Sequence, residues 1–137
     1  MPENLKQLLL RRSEWFAREI MEGVRSRPDY AFITPAQSRL LAHMGGRPTP
    51  MAELARRLAI SRQAVHKTVA ELVRRGILEL RADPQRRNAR LVAYTARGLE
   101  ANRAGAEIIA AAEARIARNI GQRELETLRE LLARDWD

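Results

Sequence analysis

Ser61, Arg62, Gln63, His66 and Lys67 are five closely spaced side chains suited to gripping a nucleic acid. On a helix, positions 62, 63, 66 and 67 stand at i, i+1, i+4 and i+5, which puts them on one face. An Arg fork matches guanine O6 and N7, and a Gln amide matches adenine N6 and N7. Ser61 would cap such a helix, whose N-terminal N–H groups suit a phosphate. Arg86, Arg87 and Arg90 form a second basic group 20 or so residues on, where they could reach a DNA backbone or a minor groove.

Residues that could break bonds are missing by comparison. There is no paired carboxylate, nucleophile–base pair, Gly-rich phosphate loop or metal-binding spacing. Glu53 and Asp83 are solitary, and His66 lies among cations with no acid beside it. With no cysteine, disulfides, Cys-ligated metals and thiol redox chemistry are excluded, and with only His43 and His66 and no zinc-binding spacing, no structural zinc is expected. The chain reads as a binding protein, not an enzyme, with no cofactor and no metal.

The charge is placed where these residues are. The net charge is +8, and residues 53–90 hold ten Lys/Arg against four Asp/Glu, or +6. The other 99 residues are nearly balanced, with fifteen against thirteen. A focused excess points to a polyanionic partner. Apolar residues make up 45% and charged residues 31% of the 137, a globular balance for one domain. Aromatics are scarce at 4%, and Ala, Leu and Arg dominate, which favours helix. No apolar run approaches the roughly 20 residues that span a bilayer, and the N-terminus lacks a signal-peptide layout. No membrane association and cytoplasmic residence are therefore expected.

The elements that must position the basic residues are legible in order. Apolar residues at 5, 9, 16, 20 and 24 keep helical spacing over 3–25, until Arg27-Pro28-Asp29. Thr34-Pro35-Ala36-Gln37 is a capping box for a helix ending at Met44. Arg47-Pro48 suggests a minimal edge strand or a loop, and Thr49-Pro50 the cap of the next helix. That helix turns its Met51, Leu54, Ala55 and Leu58 inward, and Ile60 closes a tight turn. The helix after Ser61 runs to about Arg75, with Val65, Val69, Leu72 and Val73 inward and Gly76 as its left-handed terminator. Strands are expected at 77–81 and 91–95 around a nine-residue, Arg-rich loop. Thr95 would cap a helix from Ala96 to about Arg118, Asn119–Gly121 would break the chain, and a last apolar-striped helix would follow.

Helix, turn, helix and basic hairpin make a winged helix-turn-helix: a mainly α fold with a small β-hairpin wing plus terminal dimerisation helices. TPAQSRLLAHM, then MAELARRLAISRQAVHKTVAELVRRGIL, then a charged wing ending in LVAYTARG resemble the MarR family of bacterial transcriptional regulators. The last of these is similar to that family's Leu-Thr-x-x-Gly junction between strand and helix. The resemblance covers nearly the whole chain; its motifs are degenerate, but their order is specific. It implies a DNA-binding lobe over 34–98 and a helical dimerisation region from 1–33 and 99–137, in a single structural domain overall. It implies a homodimer on a pseudo-palindromic operator in double-stranded DNA. The residues independently favour a dimer, because both helical ends are over-apolar: Leu5, Leu9, Leu125, Leu128, Leu132 and Trp136 are the expected interface. Trp136 could also anchor onto its own chain.

The family wing often carries an acid followed two residues later by Arg. Aligned on Thr95, those places hold Arg86 and Asn88, while Asp83 lies earlier. Arg87 is the expected minor-groove residue. The resemblance further implies a small aromatic effector between the dimer helices and the lobe, with Trp15, Phe16, Tyr30, His43 and Met44 as its expected lining. The same five also read as ordinary core. Repression is the expected sense of regulation, and a protein-binding adaptor is the alternative. Against the adaptor stands the polar outward face of the second helix, where a protein partner would need apolar anchors.

Overall fold

Two capping boxes start the first helices of the computed structural model, which describes residues 2–137. Met1, the first residue of the 1–33 region, lies outside the described residues. Asn4 accepts from the Gln7 amide and Gln7 bonds back to the Asn4 amide, opening α1 (Leu5–Arg25). Thr34 and Gln37 make the same reciprocal pair ahead of α2 (Pro35–Met44), with Pro35 at its first position. Each pair satisfies two N–H groups that a helix start otherwise leaves open.

The remaining elements follow as β1 (Thr49–Pro50), α3 (Met51–Leu58), α4 (Arg62–Arg74), β2 (Leu78–Ala82), β3 (Arg90–Tyr94), α5 (Ala96–Ile120) and α6 (Gln122–Ala133). A 3-10 turn at Pro28–Tyr30 joins α1 to α2. The sheet is antiparallel in the order β1-β3-β2, with Leu80 opposite Val92 and Thr49 opposite Val92 on its other side. The fold is mainly α with a β wing, as the sequence implies.

The core explains why α4 presents only one face. Leu40, Met44, Leu54, Leu58, Val65, Val69, Leu72, Ile77, Leu78 and Val92 close into a single buried cluster. Burying each such side chain contributes about 1.5–3 kcal/mol. Val65, Thr68, Val69 and Leu72 form the inward stripe of α4. Thr68 is buried without penalty because its hydroxyl donates to the Ala64 carbonyl at 3.1 Å. A second cluster of Val24, Ile33 and Ile108 joins α1 and α5, and Phe32 and Leu41 touch both clusters.

Several local expectations give way. Thr49 does not cap α3: it is buried in the edge strand, and its hydroxyl donates to the carbonyls of Arg47 and Met44. Pro50 occupies the cap position with no side-chain bond, and the edge strand is Thr49–Pro50 rather than Arg47-Pro48. Val73 is exposed, because it falls at the rim of the Val65–Val69–Leu72 stripe. The strands start one residue away from the expected places. Ile77 N–H is still held by the Leu72 carbonyl at 2.9 Å, so β2 begins at Leu78. Arg90 pairs with Ala82, which shortens the loop to 83–89. Asn119 stays helical, its side chain bonding the Arg115 carbonyl, so α5 runs to Ile120 and Gly121 alone makes the break.

Candidate nucleic-acid interface

The turn before α4 is built locally. Ala59 takes a left-handed conformation (φ 53°) after α3, and Ile60 N–H returns to the Ala55 carbonyl at 3.3 Å. Ser61 Oγ then accepts from the Ala64 N–H at 3.1 Å, capping α4. The cap fixes the direction in which the first turn of α4 leaves the lobe. Arg62, Gln63, His66 and Lys67 are all exposed. None of them makes a side-chain hydrogen bond or salt bridge to another described residue, so all four are free for a partner.

That freedom is selective. Arg56 and Arg57 on the neighbouring α3 both pair with Glu53, and Arg57 also donates to the His43 carbonyl at 2.8 Å. Arg75 sits over the Phe32 ring at 4.5 Å from its centroid and so fastens the end of α4 to the lobe. Glu53, read as solitary, is thus half of a structural clamp.

The wing loop is ordered by its own backbone. Asp83 N–H donates to the Ala89 carbonyl at 3.1 Å, and Asp83 Oδ1 accepts from Gln85 N–H at 2.9 Å. Asn88 turns the chain with φ 63°. Arg86 and Arg87 are exposed on this loop, while Arg90 is the first residue of β3. All three lack an acidic partner among the described residues, whereas Arg81 on β2 is paired with Glu79.

The junction from wing to α5 is rigid. Thr95 N–H donates to the Ile77 carbonyl at 3.1 Å, and Thr95 Oγ1 donates to the Gly76 carbonyl at 2.5 Å while accepting from Gly98 N–H at 2.9 Å. A Cβ at Gly98 would run into the Ile77 carbonyl and lie 2.9 Å from the Tyr94 ring. Only glycine lets α5 start this close to the lobe.

The expected effector residues do not gather. A cavity of about 250 Å³ lies between α1, α2 and α5 and is lined in part by Ile20, Val24, Ser38, Leu41, Tyr94 and Asn102. Tyr30 borders it, but Trp15, Phe16, His43 and Met44 do not. Met44 is buried in the lobe core. His43 Nδ1 lies 2.9 Å from the Arg39 carbonyl. Trp15 and Phe16 stack edge-to-face at 5.1 Å on the earlier part of α1. Tyr94 OH donates to the Leu41 carbonyl at 3.3 Å, and burial pushes that phenol up to about 12. Sequence periodicity could not join Ser38, Tyr94 and Asn102, which come from three separate elements.

The expected interface residues separate as well. Leu125 is buried within the chain on α6, which packs against α5. Leu5, Leu128, Leu132 and Trp136 are exposed and Leu9 is half-buried. Trp136 Nε1 donates to the Leu131 carbonyl, and its ring borders a shallow groove with Leu5, Leu9 and Leu10.

A helix sealed on one face and bare and basic on the other, followed by a basic wing, defines a winged-helix DNA-binding protein. The profile of the MarR family matches residues 33–87. The uncharacterized protein Rv2011c of Mycobacterium tuberculosis is 31% identical over 101 residues, covering 74% of this chain and 71% of that protein. A probable transcriptional regulator from Pseudomonas aeruginosa superposes with a TM-score of 0.70 at 25% identity, with 96% of each chain covered. MarR from E. coli in its apo form reaches 0.78 at 21% identity, again over 96% of each chain, a likeness of fold. The chain belongs to the MarR family, whose members are DNA-binding transcriptional regulators rather than enzymes. Among the described residues no helix is long and apolar enough to cross a membrane.

Proposed function

We propose that the chain acts as a homodimeric repressor that reads a pseudo-palindromic operator through α4. The carrying observation is the bare face of Arg62, Gln63, His66 and Lys67, next to an α3 whose Arg56 and Arg57 are paired with Glu53. Ser61 and the N–H groups of the first turn take a phosphate, and Arg62 and Gln63 reach base edges. Arg87 enters the minor groove, with Arg86 and Arg90 on the backbone. The lobe over 34–98 does the reading, and the helical regions 1–33 and 99–137 join two copies. Exposed Leu5, Leu128, Leu132 and Trp136 supply the joining surface. Two half-sites one helical turn apart, roughly 34–36 Å, match such a pair. A small aromatic molecule releases the operator.

Gel shifts on DNA flanking its own gene, at several salt concentrations and with random DNA as competitor, test this. A repressor of this kind holds its site against competitor, with affinity falling steeply as salt rises. Arg87→Ala should weaken binding to all sequences and lower the salt slope by about 1. Equal competition by random DNA would remove the sequence-specific reading. Retention of the Arg87 variant's full slope would remove the wing contact.

A further inference from the structure

Two connections between the lobe and the terminal helices meet at the end of α4. One leads to α5. Thr95, the cap of α5, donates from Oγ1 to the Gly76 carbonyl at 2.5 Å and from its N–H to the Ile77 carbonyl at 3.1 Å. The other leads towards α1. Arg75, the C-terminal cap of α4, holds its guanidinium 4.5 Å from the centre of the Phe32 ring. Phe32 lies between the 3-10 turn after α1 and the Thr34 cap of α2. Arg75, Gly76 and Ile77 are consecutive, so both connections fall within three residues.

Phe32 also occupies the seam between the two cores. It is half-buried and packs against both the lobe core and the Val24–Ile33–Ile108 cluster of the terminal helices. The two connections differ in kind. The Thr95 bonds are directional, and a Cβ at Gly98 would strike the Ile77 carbonyl, so that side admits one geometry. A guanidinium over a ring face is held by charge and quadrupole, without a directed hydrogen bond. The Arg75 side chain makes no salt bridge or hydrogen bond to another described residue, whereas Arg56 and Arg57 are held by Glu53. The Phe32 ring is therefore what orients it.

We propose that the Arg75–Phe32 contact sets the angle of α4 to the terminal helices, and through it the half-site separation that two copies read. Both are positioning residues: Arg75 acts through the end of α4, and Phe32 through the seam. The proposal rests on the two-half-site regulator reading and adds to it the residues that choose the spacing.

Duplexes built from the site located by gel shift test this, with the half-sites at their natural separation or one base pair nearer or farther. One base pair turns a half-site by about 34–36° around the DNA axis, so the parent should favour one separation. Arg75→Met keeps an aliphatic stem and removes the charge. Phe32→Leu keeps an apolar filler and removes the ring. A cation over an exposed ring is equivalent to a factor of about 2–5 per copy, so with two copies each variant should lose about 4- to 25-fold of the preference. The double variant should lose no more than the larger single loss, because both changes remove one contact. The preference is a ratio of two affinities of one variant, so a general loss of folding or charge cancels from it. Arg75 is exposed, so Arg75→Met is decisive alone if Phe32→Leu does not fold. A preference within about 2-fold of the parent's in Arg75→Met, or losses that multiply in the double variant, would overturn the proposal. A parent with no preferred separation would overturn the two-half-site reading and this proposal with it. A parent preference that survives in the variants removes the proposal alone.

Discussion

The DNA-binding lobe and the terminal helices treat the same two kinds of side chain in opposite ways. In the lobe most large apolar residues are sealed: Leu40, Leu54, Leu72, Ile77 and Leu78 are essentially inaccessible. Its cations at the reading face and the wing tip stand bare. In the terminal helices the cations are offset by as many acids, and several are paired directly, as in Arg27–Glu107, Arg115–Glu19, Arg129–Glu113 and Arg134–Glu130. There many large apolar residues stand bare, with Leu5 60% and Trp136 61% exposed. Exposed ion pairs add little stability, so their meaning is a neutralised surface. A neutral apolar surface suits another protein surface, and a bare cationic one suits a polyanion. The contrast supports the proposed division of labour between a reading lobe and a joining region.

The sharpest way to break the contrast is to unseal the lobe. Gly98→Ala drives a Cβ into the Ile77 carbonyl at the wing junction, with the Tyr94 ring also close by. It should cost about 3 kcal/mol or more in denaturant unfolding, at the upper end of overpacking effects. Leu132→Ala, on the open side of α6, should change intrachain stability by no more than about 0.5 kcal/mol. Similar losses from the two changes would mean that the regions are not built differently.

Removing residues 122–137 attacks the other side. Sedimentation should show a monomeric or aggregated chain, and operator affinity should fall by about 100-fold as paired binding is lost. An intact dimer after that deletion would show that α6 and Trp136 are not what joins two copies.

A smaller effect tests the seam. The Tyr94 phenol has a folded-state pKa of about 12, raised from 10.0 by burial. Folding therefore favours the neutral form: its contribution is complete below the unfolded value and is lost as pH climbs towards the folded one. Between about pH 9 and pH 11 the protein should lose about 1 kcal/mol of stability from this group. Tyr94→Phe should flatten that part of the pH profile. An unchanged profile would mean that Tyr94 is not the group responsible.

What the sequence made legible was whatever a few adjacent residues decide. Thr34, Ser61 and Thr95 cap the helices expected of them, because a cap needs only its own side chain and an N–H two or three residues on. Gly76 takes the left-handed conformation for the same local reason. Thr49 has the same chemistry and the same following Pro as Thr34, yet pairing with Val92 draws it into a strand. That pairing bridges 43 positions of sequence and cannot be read locally. The five residues expected to line a pocket do not share the cavity between α1, α2 and α5 for a related cause: aromatic type suggested Trp15 and Phe16, whereas the chain's path brings Ser38 and Asn102 to its wall. The basic face of α4 was legible as a pattern, whereas its freedom from internal partners needed the structure. Glu53 could have been expected beside Arg57 from i, i+4 spacing, and its role as a clamp was still missed.

The central claim, that α4 reads bases, is tested most directly by specificity rather than affinity. Operator variants altered at single base pairs should be titrated with the parent, Arg62→Ala and Gln63→Ala. Each substitution should erase about 1–3 kcal/mol of discrimination at one base position and leave the other positions unchanged. If both variants discriminate among operator and random sequences as the parent does, α4 is not the reading helix.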